Sequence, residues 1–145
     1  MKSILYVSRS LIPASVAEGE VNSMVNSAQV RNASLSVTGA LIYTGPRFAQ
    51  LLEGPNSSVD QIMGSIERDP RHEQIVRIPV KQTGERRFSA WSMAYAGPSL
   101  YVDRQVKRHF TYSQGAHPSD EGANLIELMW ALNHSQSTYC RATMG

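Results

Sequence analysis

The stretch Gly39-Ala40-Leu41-Ile42-Tyr43-Thr44-Gly45-Pro46-Arg47-Phe48-Ala49-Gln50-Leu51-Leu52-Glu53 decides how this chain folds. Two apolar runs of strand length flank Gly45-Pro46, a turn dipeptide, so residues 39–44 and 47–53 are expected to pair as a β-hairpin. Gly54-Pro55-Asn56-Ser57 then punctuates the chain again. Working back towards the N-terminus, Val21, Met24, Val25 and Ala28 recur at helical spacing, which predicts an amphipathic helix from Val16 to about Arg31. Ser15 is placed to cap it, after a break at Pro13-Ala14. Before the break, Ser3 to Ser8 reads as a short buried strand.

Downstream of the hairpin, Val59, Ile62, Met63 and Ile66 mark a second amphipathic helix. Asp69-Pro70 stops it, because proline lacks an N–H and disfavours helix in the residue before it. Glu73 to Val80 is expected as strand four, with Ile75, Val76, Ile78 and Val80 apolar. After the turn Gly84-Glu85-Arg86-Arg87, Phe88 to Tyr95 is expected as strand five. The order βαββαββ implies an α+β, ferredoxin-like unit: a five-stranded mixed sheet with both helices on one face. Gly97-Pro98 closes it, so residues 1–96 form the main domain and 97–145 a helical extension. Two short helices are expected there, Leu100 to His109 and Ser119 to His134. Ser119 would cap the second, with Asp120 and Glu121 at the positive end of its dipole. Leu125, Ile126, Met129, Trp130 and Leu132 give this helix an apolar face, for the second side of the sheet or for a partner.

The bulk properties restrict the class. The 145 residues, 41% hydrophobic and 18% charged, suit one globular domain. No run approaches the ~20 apolar residues of a membrane span, and Met1-Lys2-Ser3-Ile4-Leu5-Tyr6-Val7 turns polar too soon for a signal peptide. One cysteine, Cys140, excludes an internal disulfide framework and points to a reducing, cytoplasmic setting. With a net charge of only +2, no strong polyelectrolyte partner is implied. Eleven of the fourteen Lys and Arg residues are arginine, the better fork for carboxylate and phosphate.

The usual catalytic motifs are missing: no GxSxG, no Walker loop, no HExxH, no paired cysteines. His72, His109, His117 and His134 are too scattered to suggest a metal site. What stands out is polar residues where a core would be apolar. Gln50 shares a face with Phe48 and Leu52 in a strand that should be central, a costly place unless its amide is bonded or that face is wet. Tyr6 lies in strand one between Leu5 and Val7, either as a satisfied core tyrosine or as a partner of Gln50. Asn32 ends the first helix, where it could serve as a left-handed terminus. Asp69-Pro70-Arg71-His72 could be a charged loop, and Trp91 and Met93 share one face of the last strand.

Taken jointly, Tyr6-Val7-Ser8, Asn32 followed by Val37-Thr38-Gly39-Ala40-Leu41, Phe48-Ala49-Gln50-Leu51-Leu52-Glu53-Gly54, Asp69-Pro70-Arg71-His72 and Arg87-Phe88-Ser89-Ala90-Trp91-Ser92-Met93 closely resemble the BLUF family, sensors of blue light using FAD. The likeness spans about residues 1–96, and it resembles the short, single-domain type. It implies non-covalent FAD with its ring between the two helices, walled by Met24 or Val25 and by Ile66. In that family pattern Asn32 holds the pyrimidine edge, Arg31 stands where relatives place a residue against the ring, and Phe48 belongs to the cofactor contacts. Arg71 reaches a flavin carbonyl, His72 packs nearby and Asp69 sits by the ribityl chain. Gln50 bridges Tyr6 to the flavin; Tyr6 and Gln50 are the photoactive pair, modulated by Ser8, Trp91 and Met93. Relatives often carry serine where Ala28 stands here, with Ser27 one step off, and Val37 replaces an isoleucine.

The resemblance implies a photoreceptor rather than an enzyme, signalling through self-association or to a downstream protein, without nucleic acid or membrane. Light would drive electron and proton transfer from Tyr6 through Gln50, whose amide rearranges and shifts the absorption to the red. Two other readings fit the topology. An acylphosphatase-like enzyme would use Arg9 and an asparagine, but the cradle of backbone donors it needs is not evident. An RNA-binding module would need aromatic and basic residues that strand three lacks beyond Phe48.

Overall fold

The computed structural model describes the backbone at residues 1–112 and 121–144, and side chains at 1–109 and 122–134. Five strands, β1 (Lys2–Ser10), β2 (Thr38–Tyr43), β3 (Arg47–Gly54), β4 (His72–Ile78) and β5 (Trp91–Ala96), form one mixed sheet in the order β4-β1-β3-β2-β5. All neighbours are antiparallel except β2 and β5. Helices α1 (Ala17–Ser34) and α2 (Asn56–Glu67) connect β1 to β2 and β3 to β4, each skipping one strand. This is the expected split βαβ, ferredoxin-like arrangement.

Side-chain alternation divides the sheet into two apolar faces. On one face, Ile4, Tyr6 and Leu52 pack under Val59, Ile62, Met63 and Ile66 of α2. Leu41, Tyr43 and Phe48 pack on the same face under Val21, Met24 and Val25 of α1. On the other face, Leu5, Val7, Ile42, Ala49 and Leu51 meet two further helices, α3 (Leu100–Tyr112) and α4 (Glu121–Met144). Val102, Val106, Leu125, Ile126 and Met129 fill that layer. The C-terminal helices therefore cover the back of the sheet.

Several element boundaries differ from the sequence expectation. Helix α1 is entered through a 3₁₀ turn, Ala14–Val16, and its first residue has no side-chain cap, so Ser15 does not cap it. Asn32 lies inside α1; the left-handed residue after the helix is Ser36, at φ 58°. Strand β4 stops at Ile78, because Pro79 has no N–H to continue a ladder. Strand β5 starts at Trp91 rather than Phe88. The N–H groups of Arg87 and Phe88 are spent on the Glu53 carboxylate, at 2.7 and 3.1 Å. Helix α4 is not short: no glycine or proline interrupts the chain between Gly122 and Gly145, and the helix runs to Met144. The expected cap Ser119, together with Asp120 and His117, lies outside the described residues, as do the Glu121 and Cys140 side chains.

Gly39 is the tightest point of the sheet. Its φ is +152°, and a Cβ there would sit 1.8 Å from the Leu51 carbonyl oxygen. Gly39→Ala is expected to cost about 2–6 kcal/mol, from strained backbone and from overpacking. A urea midpoint equal to that of the wild type would contradict this.

Candidate functional site

The sheet register explains how two polar residues meet. Tyr6 of β1 is directly opposite Gln50 of β3, and opposed residues project on one face within side-chain reach. The Tyr6 hydroxyl donates to Gln50 Oε1 at 2.5 Å, and both residues are buried. With its oxygen engaged, the Gln50 amide keeps its NH₂ as a donor for something else. Burial pushes the Tyr6 phenol well above its ordinary pKa; Asp69 adds to this, and Arg31 opposes it. Tyr6 is thus a neutral O–H donor, not a phenolate, across the physiological range.

A cleft opens above this pair, between α1 and α2. Tyr6, Leu41, Phe48, Gln50 and Trp91 form its floor, Met24, Ser27, Ala28 and Arg31 its α1 wall, and Ser65 and Ile66 its α2 wall. Asp69, Arg71 and His72 close one end. It is a slot rather than a chamber, with about 610 Å³ of atom-free space including its mouth.

The Asp69–His72 segment is held from within. Asp69 accepts from the Arg71 backbone N–H at 2.9 Å and from its guanidinium at 2.6–3.1 Å. The Arg71 guanidinium holds the Asp69 carboxyl below its usual range, and Asp69 raises Arg71 in return. His72 Nε2 donates to the Ile66 carbonyl at 2.7 Å, since a carbonyl can only accept. In the neutral ring Nδ1 must then accept, from the Ser8 hydroxyl, at 2.7 Å. This ties the end of α2 to β1 and sets the His72 ring edge-on to Tyr6 and Phe48, with centroids 6.0 Å away in each case.

Among the described residues, two buried donors at the slot have no partner. Asn32 is 0% exposed, and its Oδ1 accepts from Arg31 Nε at 3.3 Å, while its Nδ2 is unpaired. Trp91 Nε1 is buried and unpaired too. Buried donors without acceptors are rare and costly, and here one lies on a floor residue of the slot and the other next to Arg31 in its wall. With apolar walls at Met24, Leu41, Phe48 and Ile66, these donors suit a flat ligand with apolar faces and hydrogen-bonding edges. The tricyclic ring of a flavin has that shape and that chemistry.

Most of the residues singled out from the sequence come together here. Met24, not Val25, lines the slot; Val25 packs behind it. Trp91 forms part of the floor, while Met93 packs in the α1 cluster without reaching the slot. Ser8 acts at one remove, through His72. Asn32 is buried beside the slot rather than in its lining. Leu41 and Ser65 were not anticipated; Leu41 was legible, since it opposes Gln50 across the hairpin, whereas nothing local marks Ser65. Among the described residues no group of His, Cys, Asp or Glu is placed to hold a metal ion, and no helix is long and apolar enough to cross a membrane.

Residues 1–94 match the family described as sensors of blue-light using FAD, BLUF. The chain is a member of the BLUF family. BLUF domains are flavin-binding sensors of blue light. The photoactivated adenylate cyclase subunit beta of Euglena longa is 32% identical over 97 residues, covering 66% of this chain and 11% of that protein. The blue light- and temperature-regulated antirepressor BluF of Escherichia coli K12 is 40% identical over 74 residues, 51% of this chain and 18% of that protein. The chain thus spans between a tenth and a fifth of the length of these two relatives. The dark-state structure of BlrB, a BLUF protein, superposes with a TM-score of 0.68 at 28% identity, covering 89% of this chain and 94% of that one. That overlap reaches past residue 94 into the C-terminal helices. The ground-state structure of BlsA shares the fold, with a TM-score of 0.67 at 21% identity.

Proposed function

We propose that this protein is a blue-light photoreceptor that holds FAD, specifically, without a covalent bond, in the slot between α1 and α2. The observation that carries the reading is the Tyr6 hydroxyl bonded to Gln50 at 2.5 Å on the floor of that slot. Bound there, FAD supplies absorption of blue light and an electron acceptor. Met24 and Ile66 would enclose the faces of the ring and keep water out. Asn32 would offer it the unpaired Nδ2–H, and Arg31 would lie beside it. Asp69 and Arg71, paired with each other, would hold the polar end of the cofactor.

Tyr6 is the electron donor, being the phenol in contact with Gln50. With the flavin as acceptor it would release one electron and, through the Gln50 amide, one proton; the return of both would leave no net oxidation. What would persist is the Gln50 amide, rotated or tautomerised, with its hydrogen bonds rearranged. Trp91 Nε1, a buried donor without a partner in the lining that Gln50 shares, would distinguish the two amide states. His72 and Ser8 hold the Tyr6 edge of the floor rigid, and Met93 backs Trp91. Only contacts that differ between two states can bias their equilibrium, and this amide is such a contact.

Residues 1–96 are the sensory domain in this reading and 97–145 the helical extension. The chain acts in the cytoplasm as a sensor rather than a catalyst. Its output is contact with another copy or with a downstream protein.

The test is spectroscopic. The purified protein should be yellow, release FAD on denaturation, and shift its absorption to the red under blue light, reverting in the dark. A colourless protein, or a yellow one whose spectrum stays fixed under light, overturns the proposal.

A further inference from the structure

Strand β3 carries Gln50 towards the slot, and the side chains three places before and after it point the other way, because three is an odd offset along a strand. Those residues are Arg47 and Glu53. Arg47 is fixed to α3 by a charged hydrogen bond, and Glu53 to the segment before β5, which in turn stacks on α4.

Arg47 Nη1 donates to Asp103 Oδ2 at 2.7 Å. Asp103 Oδ1 accepts from the Thr44 hydroxyl at 2.8 Å. The Arg47 and Asp103 side chains are 21% and 16% exposed, so the pair is largely shielded from solvent. Asp103 lies in the first turn of α3, which Ser99 anchors through bonds to the Val102 and Asp103 N–H groups. The first clamp therefore joins the near end of β3 to the start of α3.

At the far end Glu53 is 0% exposed. Its carboxylate accepts from the N–H groups of Arg87 and Phe88, from Arg87 Nη1 at 3.0 Å and from the Ser3 hydroxyl at 3.2 Å. Phe88, held by this clamp, stacks on Trp130 of α4 with ring centroids 5.0 Å apart and planes at 19°. Trp130 stacks in turn on His134 at 4.9 Å. The second clamp joins the far end of β3 to α4.

We propose that β3 is the output strand: Arg47 and Glu53 act as positioning residues that pass a change at Gln50 to α3 and to α4 separately. Strand β5 also packs on α4, but through apolar contacts such as Ala94, which are not directional. Charged hydrogen bonds are directional and shielded here: one holds β3 directly to α3, and those of Glu53 hold Phe88 in its stack on Trp130, so a displacement of β3 is passed to both helices. Coupling of this kind is reciprocal, so the helices also bias the Gln50 state. The inference rests on the photoreceptor reading.

Hydrogen exchange of the flavin-loaded protein, in the dark and under blue light, tests it, with the spectrum recorded on the same samples. In the wild type, light should change exchange over both α3 and α4. Arg47→Gln should keep the red shift, lose the light response of α3 and retain that of α4; Arg47→Lys, which keeps the charge, should restore it. Phe88→Leu should give the mirror result, losing the response of α4 and retaining that of α3. Mere destabilisation would not separate the helices in this way. A red shift with no wild-type response in either helix, or with both responses intact in both variants, overturns the relay alone. A wild type without any red shift removes the photoreceptor reading and the relay with it.

Discussion

Tyr6→Phe is expected to keep the flavin and to abolish the light-induced red shift. The reason is chemical. The phenylalanine ring fills the same place between Ile4 and the α2 cluster, so the walls of the slot stay intact. What disappears is the hydroxyl 2.5 Å from Gln50 Oε1, through which Tyr6 reaches that amide. Gln50→Leu should have the same spectroscopic result from the other side, retaining Tyr6 but removing the group that moves. Each variant also leaves one buried polar atom unpaired, at a cost of about 1–3 kcal/mol, which lowers stability without unfolding the chain. The assay is a difference spectrum under continuous blue light together with a flavin-to-protein absorbance ratio. If either variant retains its flavin and shifts normally, the roles given to Tyr6 and Gln50 are wrong.

Glu53→Ala is expected to be the most destabilising single change at a charged position. The carboxylate is fully buried and satisfies four donors at once: two backbone N–H groups, the Arg87 guanidinium and the Ser3 hydroxyl. Removing it leaves the cation and those N–H groups without their acceptor, and breaking a buried pair from one side costs about 3–5 kcal/mol. Domains of this size are stable by about 5–15 kcal/mol, so the variant would lose a large fraction of its stability. It should also free Phe88 from its stack on Trp130, giving a change in Trp130 fluorescence. Glu53→Gln preserves the shape and one acceptor and should lose less. Equal urea midpoints for Glu53→Ala and the wild type would refute this account.

Much of the site was legible because strand parity is a local property. Two apolar runs around Gly45-Pro46 can pair in few ways, and parity within residues 47–53 places Phe48, Gln50 and Leu52 on one face before anything else is known. The amphipathic spacing of Val59, Ile62, Met63 and Ile66 likewise fixes which side of α2 is buried. Where the sequence reading went astray, the deciding contact was distant along the chain. Phe88 looks like a strand residue by its neighbours, yet its N–H belongs to Glu53, thirty-five positions away. Ser15 looks like a cap, yet the chain enters α1 through a 3₁₀ turn.

Local patterning was enough for the α+β class, the hairpin and the two helices over one face, and motif spacing, through the family likeness, for Tyr6 and Gln50 as a pair. These follow from periodicity, from turn chemistry and from motif spacing, all carried by neighbours in the chain. Tertiary structure alone decided that Met24 rather than Val25 lines the slot, that Trp91 rather than Met93 forms its floor, and that α3 and α4 cover the back of the sheet. Periodicity names the face a side chain occupies; it does not name the element that will pack there. That choice is made only when residues far apart in the chain compete for the same buried space.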